Sequence, residues 1–271
     1  MNSLVWMVFV ASFSAGAAPR EPQAFGVLAR PQPSLHFNVE APLTAYSPAP
    51  GDIVLSTSDK RSSTLLYRFV LVGLPTHIGI VVRLPEGGLG VFEAGGGGDF
   101  RTRTTALETR FARGGDRAIW IRKPKRPLTG EQERRLNEFA ALSEDKGYSY
   151  RRALGLVWVF VTDARGPLRT FFDGQPKGLR DDFICSEAVL EALAYAGLVD
   201  STTARPEATT PRDLMLDRST NLYIRRHPPL ACGWQPPALW IGCGAVSAEC
   251  QATPACRLPA PTKRGLLRFR R

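Results

Sequence analysis

Five cysteines and three histidines are all that the 271-residue chain offers for thiol or imidazole chemistry, and they are unevenly placed. Cys232, Cys243, Cys250 and Cys256 fall within the last 40 residues, whereas Cys185 stands alone in Asp182-Phe183-Ile184-Cys185-Ser186-Glu187. That stretch opens a helical pattern. A thiol in the first turn meets unpaired backbone N–H groups and the positive end of the helix dipole, which stabilise a thiolate. His36 lies in a Pro-rich stretch and His227 precedes two prolines, but His77 begins a β-branched run, THIGIVV, at residues 76–82. An imidazole beside the thiol would complete the ion pair that makes cysteine a nucleophile. A third polar group must then hold the imidazole in its useful tautomer. Glu93, ending the next strand, is the candidate, because adjacent antiparallel strands bring it alongside. Each residue also has a plain structural reading: a small buried Cys, a satisfied strand His, a solvated carboxylate. Tyr148 and Tyr150 either pack or line a cleft.

The elements that must position these groups can be read from periodicity. Strands are expected at residues 53–55, 76–82, 90–93 and 117–122, the second and third joined by the Gly87-Gly88 turn. Short turns between neighbouring strands indicate an antiparallel meander, not a parallel βαβ sheet. Thr129 and Gln132 have capping-box spacing, and Leu136, Phe139 and Ala140 continue an apolar stripe to about Lys146. A second helix is expected from near Asp182 through Val189, Leu190, Leu193 and Ala196 to Gly197. The class is therefore α+β. The glycine run Gly95–Gly98 fits neither phosphate-binding pattern and reads as a loop beside a site.

Four segments in order, Gly51-Asp52-Ile53-Val54, Thr76-His77-Ile78-Gly79-Ile80-Val81, Phe92-Glu93-Ala94 and Phe183-Ile184-Cys185-Ser186-Glu187, resemble the circularly permuted branch of the NlpC/P60 papain-like superfamily. These are the YiiX/YaeF-like amidase-type proteins, distantly similar to lecithin–retinol acyltransferase. In that branch the His precedes the Cys, as here. The resemblance spans about residues 46–217 and implies a papain-like domain whose antiparallel sheet packs on helices. It also implies Cys185 as nucleophile, His77 as general base, Glu93 as the orienting third member, and no metal or organic cofactor. Tyr148, in Lys146-Gly147-Tyr148-Ser149-Tyr150, resembles a Tyr-containing segment upstream of the family's Cys and is the candidate substrate-binding residue. Residues 163–182 depart from the pattern and are expected to loop over the cleft.

The ends of the chain suggest where it works. Residues 1–18 carry no charged side chain, and the apolar stretch Leu4–Ala11 leads to Ala15-Gly16-Ala17, the pattern of a signal peptide ending at residue 17. A Pro-rich arm follows over residues 18–45. Four cysteines in a Pro-rich tail, residues 218–271, without a C-x-x-C knuckle favour disulfides over zinc. From Ser219 onward eight basic residues face one acid, which accounts for +7 of the net +10. Such a terminus suits an anionic partner such as the cell envelope, or simply aids solubility. Nucleic acid is disfavoured because the chain has no binding motif and no interleaving of aromatic and basic residues. No apolar run of 18 residues interrupts the body of the chain, which excludes a polytopic membrane protein.

The expectation is an exported cysteine-dependent amidase or peptidase acting on cell-wall peptides. A thiol hydrolase or acyltransferase on N-acyl or ester substrates is the alternative, and a non-catalytic envelope-binding protein is the alternative from a different class.

Overall fold

The computed structural model describes residues 25–30, 43–58, 74–95, 100–112, 116–153, 175–217 and 230–242. The expected signal peptide, His36, His227, Cys243, Cys250, Cys256, most of the loop at residues 163–182 and the basic C-terminal end lie outside the described residues.

Short β-branched runs separated by turns build one antiparallel sheet. Its strands are β1 (Val27–Ala29), β2 (Leu43–Ala45), β3 (Ile53–Ser58), β4 (His77–Arg83), β5 (Leu89–Ala94), β6 (Thr102–Ala106), β7 (Asp116–Arg122) and β10 (Ala238–Ile241). They lie in the order β2-β1-β10-β7-β3-β4-β5-β6. Two further strands of two residues, β8 (Gly147–Tyr148) and β9 (Asp182–Phe183), pair in parallel apart from this sheet. The principal helices are α1 (Leu107–Ala112), α2 (Gly130–Leu142), α3 (Cys185–Tyr195) and α4 (Pro211–Leu216). The expected α+β class and β4–β5 hairpin are present, and α2 carries the capping box at Thr129 and Gln132.

Side chains alternate across a strand, so each strand serves two cores. Ile53, Leu55, Ile78, Ile80, Val82, Phe92 and Ala94 pack with Leu136, Phe139 and Ala140 of α2 and Ala188, Val189, Leu190 and Leu193 of α3. Val54, Val81, Val91, Ile119 and Ile121 form the opposite core with Leu28, Tyr46 and Leu107. By the same alternation Ser56, His77, Gly79 and Glu93 share the face of Val54, Val81 and Val91.

The sheet extends beyond residues 46–217 at both ends: β1 pairs with both β2 and β10, and β10 joins β7. These strands have only three or four residues, too few to show a period amid prolines. The second helix begins at Cys185 and not near Asp182, because Asp182 and Phe183 are used in pairing with Gly147 and Tyr148. Among the described residues no helix is long and apolar enough to cross a membrane.

Helix α3 is buried on nearly every side, so its two glutamates must find partners inside. Glu187 accepts from the Ile184 N–H at 3.2 Å and closes the helix start from its third position. It also receives Arg152 Nε at 3.1 Å, while Arg180 Nη1 bridges Glu187 and Glu207. Glu191 accepts the backbone N–H groups of Lys177 and Gly178, both at 2.9 Å. Together these contacts strap residues 177–182 to the helix that presents Cys185. Removing one member of a buried ion network leaves the others uncompensated. Glu187→Ala should therefore lower the unfolding free energy by about 3 kcal/mol in urea denaturation.

Candidate active site

The site is assembled where the ends of β4 and β5 meet the start of α3. In the β4–β5 register, Glu93 lies directly opposite Gly79, and His77 is its diagonal neighbour on the same face. A side chain opposite Glu93 would stand in the way. A Cβ on Gly79 would come within 2.6 Å of Val91 Cγ1 and 3.2 Å of Glu93 Cβ. Glycine thus leaves the space through which the two side chains reach each other. His77 Nε2 donates to Glu93 Oε2 at 2.9 Å, with side-chain exposures of 18% and 2%.

Cys185 lies near enough to the imidazole to act with Glu93 on its pKa. Cys185 is the first residue of α3 and is 5% exposed. Three elements therefore converge: strand β4 brings the imidazole, β5 the carboxylate and α3 the thiol.

The electrostatics favour a charged imidazole. Burial alone would lower the pKa of His77. The hydrogen bonds to Cys185 and Glu93, together with the charges of both partners, outweigh burial and raise it to about 10. Burial would raise Glu93, but the bonds and charges of His77 and Arg110 bring its carboxyl down to about 2. Glu93 is thus an anion throughout the working range.

Arg110 was not legible as part of this group from sequence. It lies in the six-residue α1, where Leu107 and Arg110, three positions apart, both turn inward. Its Nε donates to Glu93 Oε2 at 2.8 Å, Nη1 to Asp116 Oδ2 at 2.7 Å and Nη2 to Ser56 Oγ at 3.2 Å. An arginine on the inward face of a short helix is a weak sequence sign of such a role, and nothing in the spacing ties it to Glu93.

Tyr148 lies beside the strand that leads into Cys185. It pairs in register with Phe183, two residues before Cys185. A Cβ on Gly95, just past the end of β5, would touch the Tyr148 ring at 2.8 Å, and Gly95 itself has φ +75°, so glycine is needed there twice over. Tyr148 forms an aromatic group with Tyr150 and Phe100, the ring centroids lying 5.4 Å and 6.3 Å from its own. Tyr150 and Phe100 are 50% and 55% exposed.

The Gly51-Asp52 signal serves the fold. Asp52 is fully buried and accepts from the Tyr46 hydroxyl at 3.0 Å and the Ala49 N–H at 3.1 Å. Cys232 is exposed in a short turn at Leu230–Cys232. Among the described residues no group of three or more His, Cys, Asp and Glu side chains is arranged to hold a metal ion.

No family model and no curated protein matches the chain. Among solved structures, the metalloprotein YiiX of Escherichia coli O157:H7 aligns with 74% of this chain and 92% of its own, at 17% identity and a TM-score of 0.40. A likeness of that degree carries no argument about the site, which stands on its own geometry.

Because the His77–Glu93 contact depends on the gap at Gly79, Gly79→Ala should strain the β4–β5 pair. An unfolding free energy lower by about 1–3 kcal/mol is expected. Slower iodoacetamide labelling of Cys185 at pH 6 should accompany it, measured on the folded variant.

Proposed function

We propose that the chain is a cysteine-dependent hydrolase or acyl-transfer enzyme of the permuted NlpC/P60 papain-like type. The observation that carries this reading is the imidazole held between a buried carboxylate and the thiol at a helix start. Cys185, as thiolate, attacks an amide or ester carbonyl and forms a C–S bond. His77, as imidazolium, gives its proton to the leaving amine or alkoxide as the C–N or C–O bond breaks. The neutral imidazole then takes a proton from water, or from an acceptor hydroxyl or amine, and that oxygen or nitrogen attacks the thioester. Collapse releases the acyl product and restores thiolate and imidazolium. Glu93 holds the Nε2–H side of the ring through both halves. The Cys185 backbone N–H at the helix start is a donor for the developing oxyanion.

The amide crosslinks of cell-wall peptides are the first substrate class. This assignment rests on the resemblance and on an N-terminal stretch with the pattern of an export signal. The exposed aromatic group at Phe100 and Tyr150 supports a second reading, in which the acyl portion is apolar and the substrate an N-acyl amide or ester. The basic C-terminal end would hold the enzyme near an anionic envelope in either case.

Purified protein incubated separately with stem peptides and with long-chain esters should release product from one class and carry an acyl mass increment on Cys185. Cys185→Ala should abolish both signals, and His77→Ala should slow turnover by about 10²–10⁴-fold. If neither class reacts and Cys185 also resists iodoacetamide at pH 6, the envelope-binding reading replaces this one.

A further inference from the structure

Glu93 presents an unusual hydrogen-bonding pattern for a buried carboxylate. Both of its partners, His77 Nε2 and Arg110 Nε, donate to Oε2, at 2.9 and 2.8 Å. Its Oε1 accepts no hydrogen bond from the described residues. A carboxylate gripped by a single oxygen can pivot about that oxygen, so its orientation depends on how firmly each donor is itself fixed. His77 is the group to be oriented and cannot also be the anchor. Arg110 can be. Its side chain is 7% exposed, and its two other nitrogens are taken up by Asp116 on β7 and Ser56 on β3. Three elements thus clamp one guanidinium plane, whose rigid fork loses little freedom in binding them.

Charge counting gives Arg110 a second task. The groups facing the His77–Glu93 pair are Cys185 from α3, Arg110 from α1 and, through Arg110, Asp116 from β7. Ser56 from β3 is neutral, and Arg103, opposite Glu93 on β6, is exposed. Without the guanidinium, Glu93 and Asp116 would be two anions sharing one pocket with the thiol. Each further negative charge makes a thiolate harder to form.

We propose that Arg110 is a positioning residue of the active site: it anchors the Glu93 carboxylate against His77 and supplies the cation that offsets Glu93 and Asp116 beside the thiol. This inference rests on the thiol–imidazole reading of the site. Arg110 touches neither the thiol nor a substrate in this account and acts only through Glu93 and through its charge.

The test is the pH profile of Cys185 alkylation by iodoacetamide in wild type, Arg110→Gln, Arg110→Lys and Asp116→Asn. Each variant is first checked for folding by circular dichroism and thermal melting. Wild type should label rapidly down to an acid limb well below the ordinary thiol range near pH ~8.5. Arg110→Gln removes a cation and should move that limb upward by about one pH unit or more. Arg110→Lys keeps the charge but not the fork, and should restore part of the shift. Asp116→Asn removes an anion while keeping an acceptor for Nη1, and should move the limb in the opposite direction. Opposed shifts of this kind cannot come from loosened packing, which would slow labelling at all pH values with the midpoint unchanged. A wild-type profile with a low acid limb that superposes on those of Arg110→Gln and Asp116→Asn would overturn the inference and leave the thiol–imidazole reading intact. If wild-type Cys185 itself titrates as an ordinary thiol, that reading falls and the role of Arg110 falls with it.

Discussion

A carboxylate with 2% of its surface exposed is expensive unless cations are held against it, and Glu93 has two. His77 and Arg110 reach the same oxygen, one from the neighbouring strand and one from a short helix. The arrangement binds sheet and site together. The β4–β5 register that pairs Val81 with Val91 in the core also sets Glu93 opposite Gly79 and diagonal to His77. A one-residue slip of β5 against β4 would put Glu93 and His77 on opposite faces and turn Phe92 out of its core at the same time. Core packing and site geometry are therefore enforced by the same hydrogen-bonded ladder.

The thiol arrives from the other layer. Helix α3 packs its apolar residues, Cys185 among them, on the core of Ile78 and Phe92, and its first residue is the thiol beside the imidazole. Such a placement tolerates little sliding, which gives a reason for the dense ion network along the helix. Glu187, Glu191, Arg152 and Arg180 fix both the helix start and the backbone leading into it. These buried charges contribute little to net stability in their own right. Their effect is to hold the chain before Cys185 in one place.

Much of this was legible in the chain. His77, Glu93 and Cys185 were marked by residue type and by their positions at strand and helix ends, and the structure brings all three side chains together. The β4–β5 hairpin and helix α2 were visible because their periods and turn residues run for several turns or strand steps. Arg110 was hidden because its partners, Ser56, Glu93 and Asp116, come from three strands, and no local pattern records a contact of 54 residues' separation. The buried glutamates of α3 were hidden for the opposite reason: at helical spacing they look like the solvated face of an amphipathic helix, and it takes Arg152 and the segment at residues 177–182 to cover them. Strands β1, β2 and β10 are too short to carry a period, and their pairing is decided by the rest of the sheet.

The central claim is that His77 stands as an imidazolium between Glu93 and Cys185 at neutral pH. It is most directly tested by 15N NMR of the histidine side chains, with the His77 signals identified by their loss in His77→Ala. The account predicts that both His77 ring nitrogens remain protonated at pH 8 and that the ring titrates near pH 10. A neutral ring at pH 8, titrating near the ordinary value of 6.5, would contradict it.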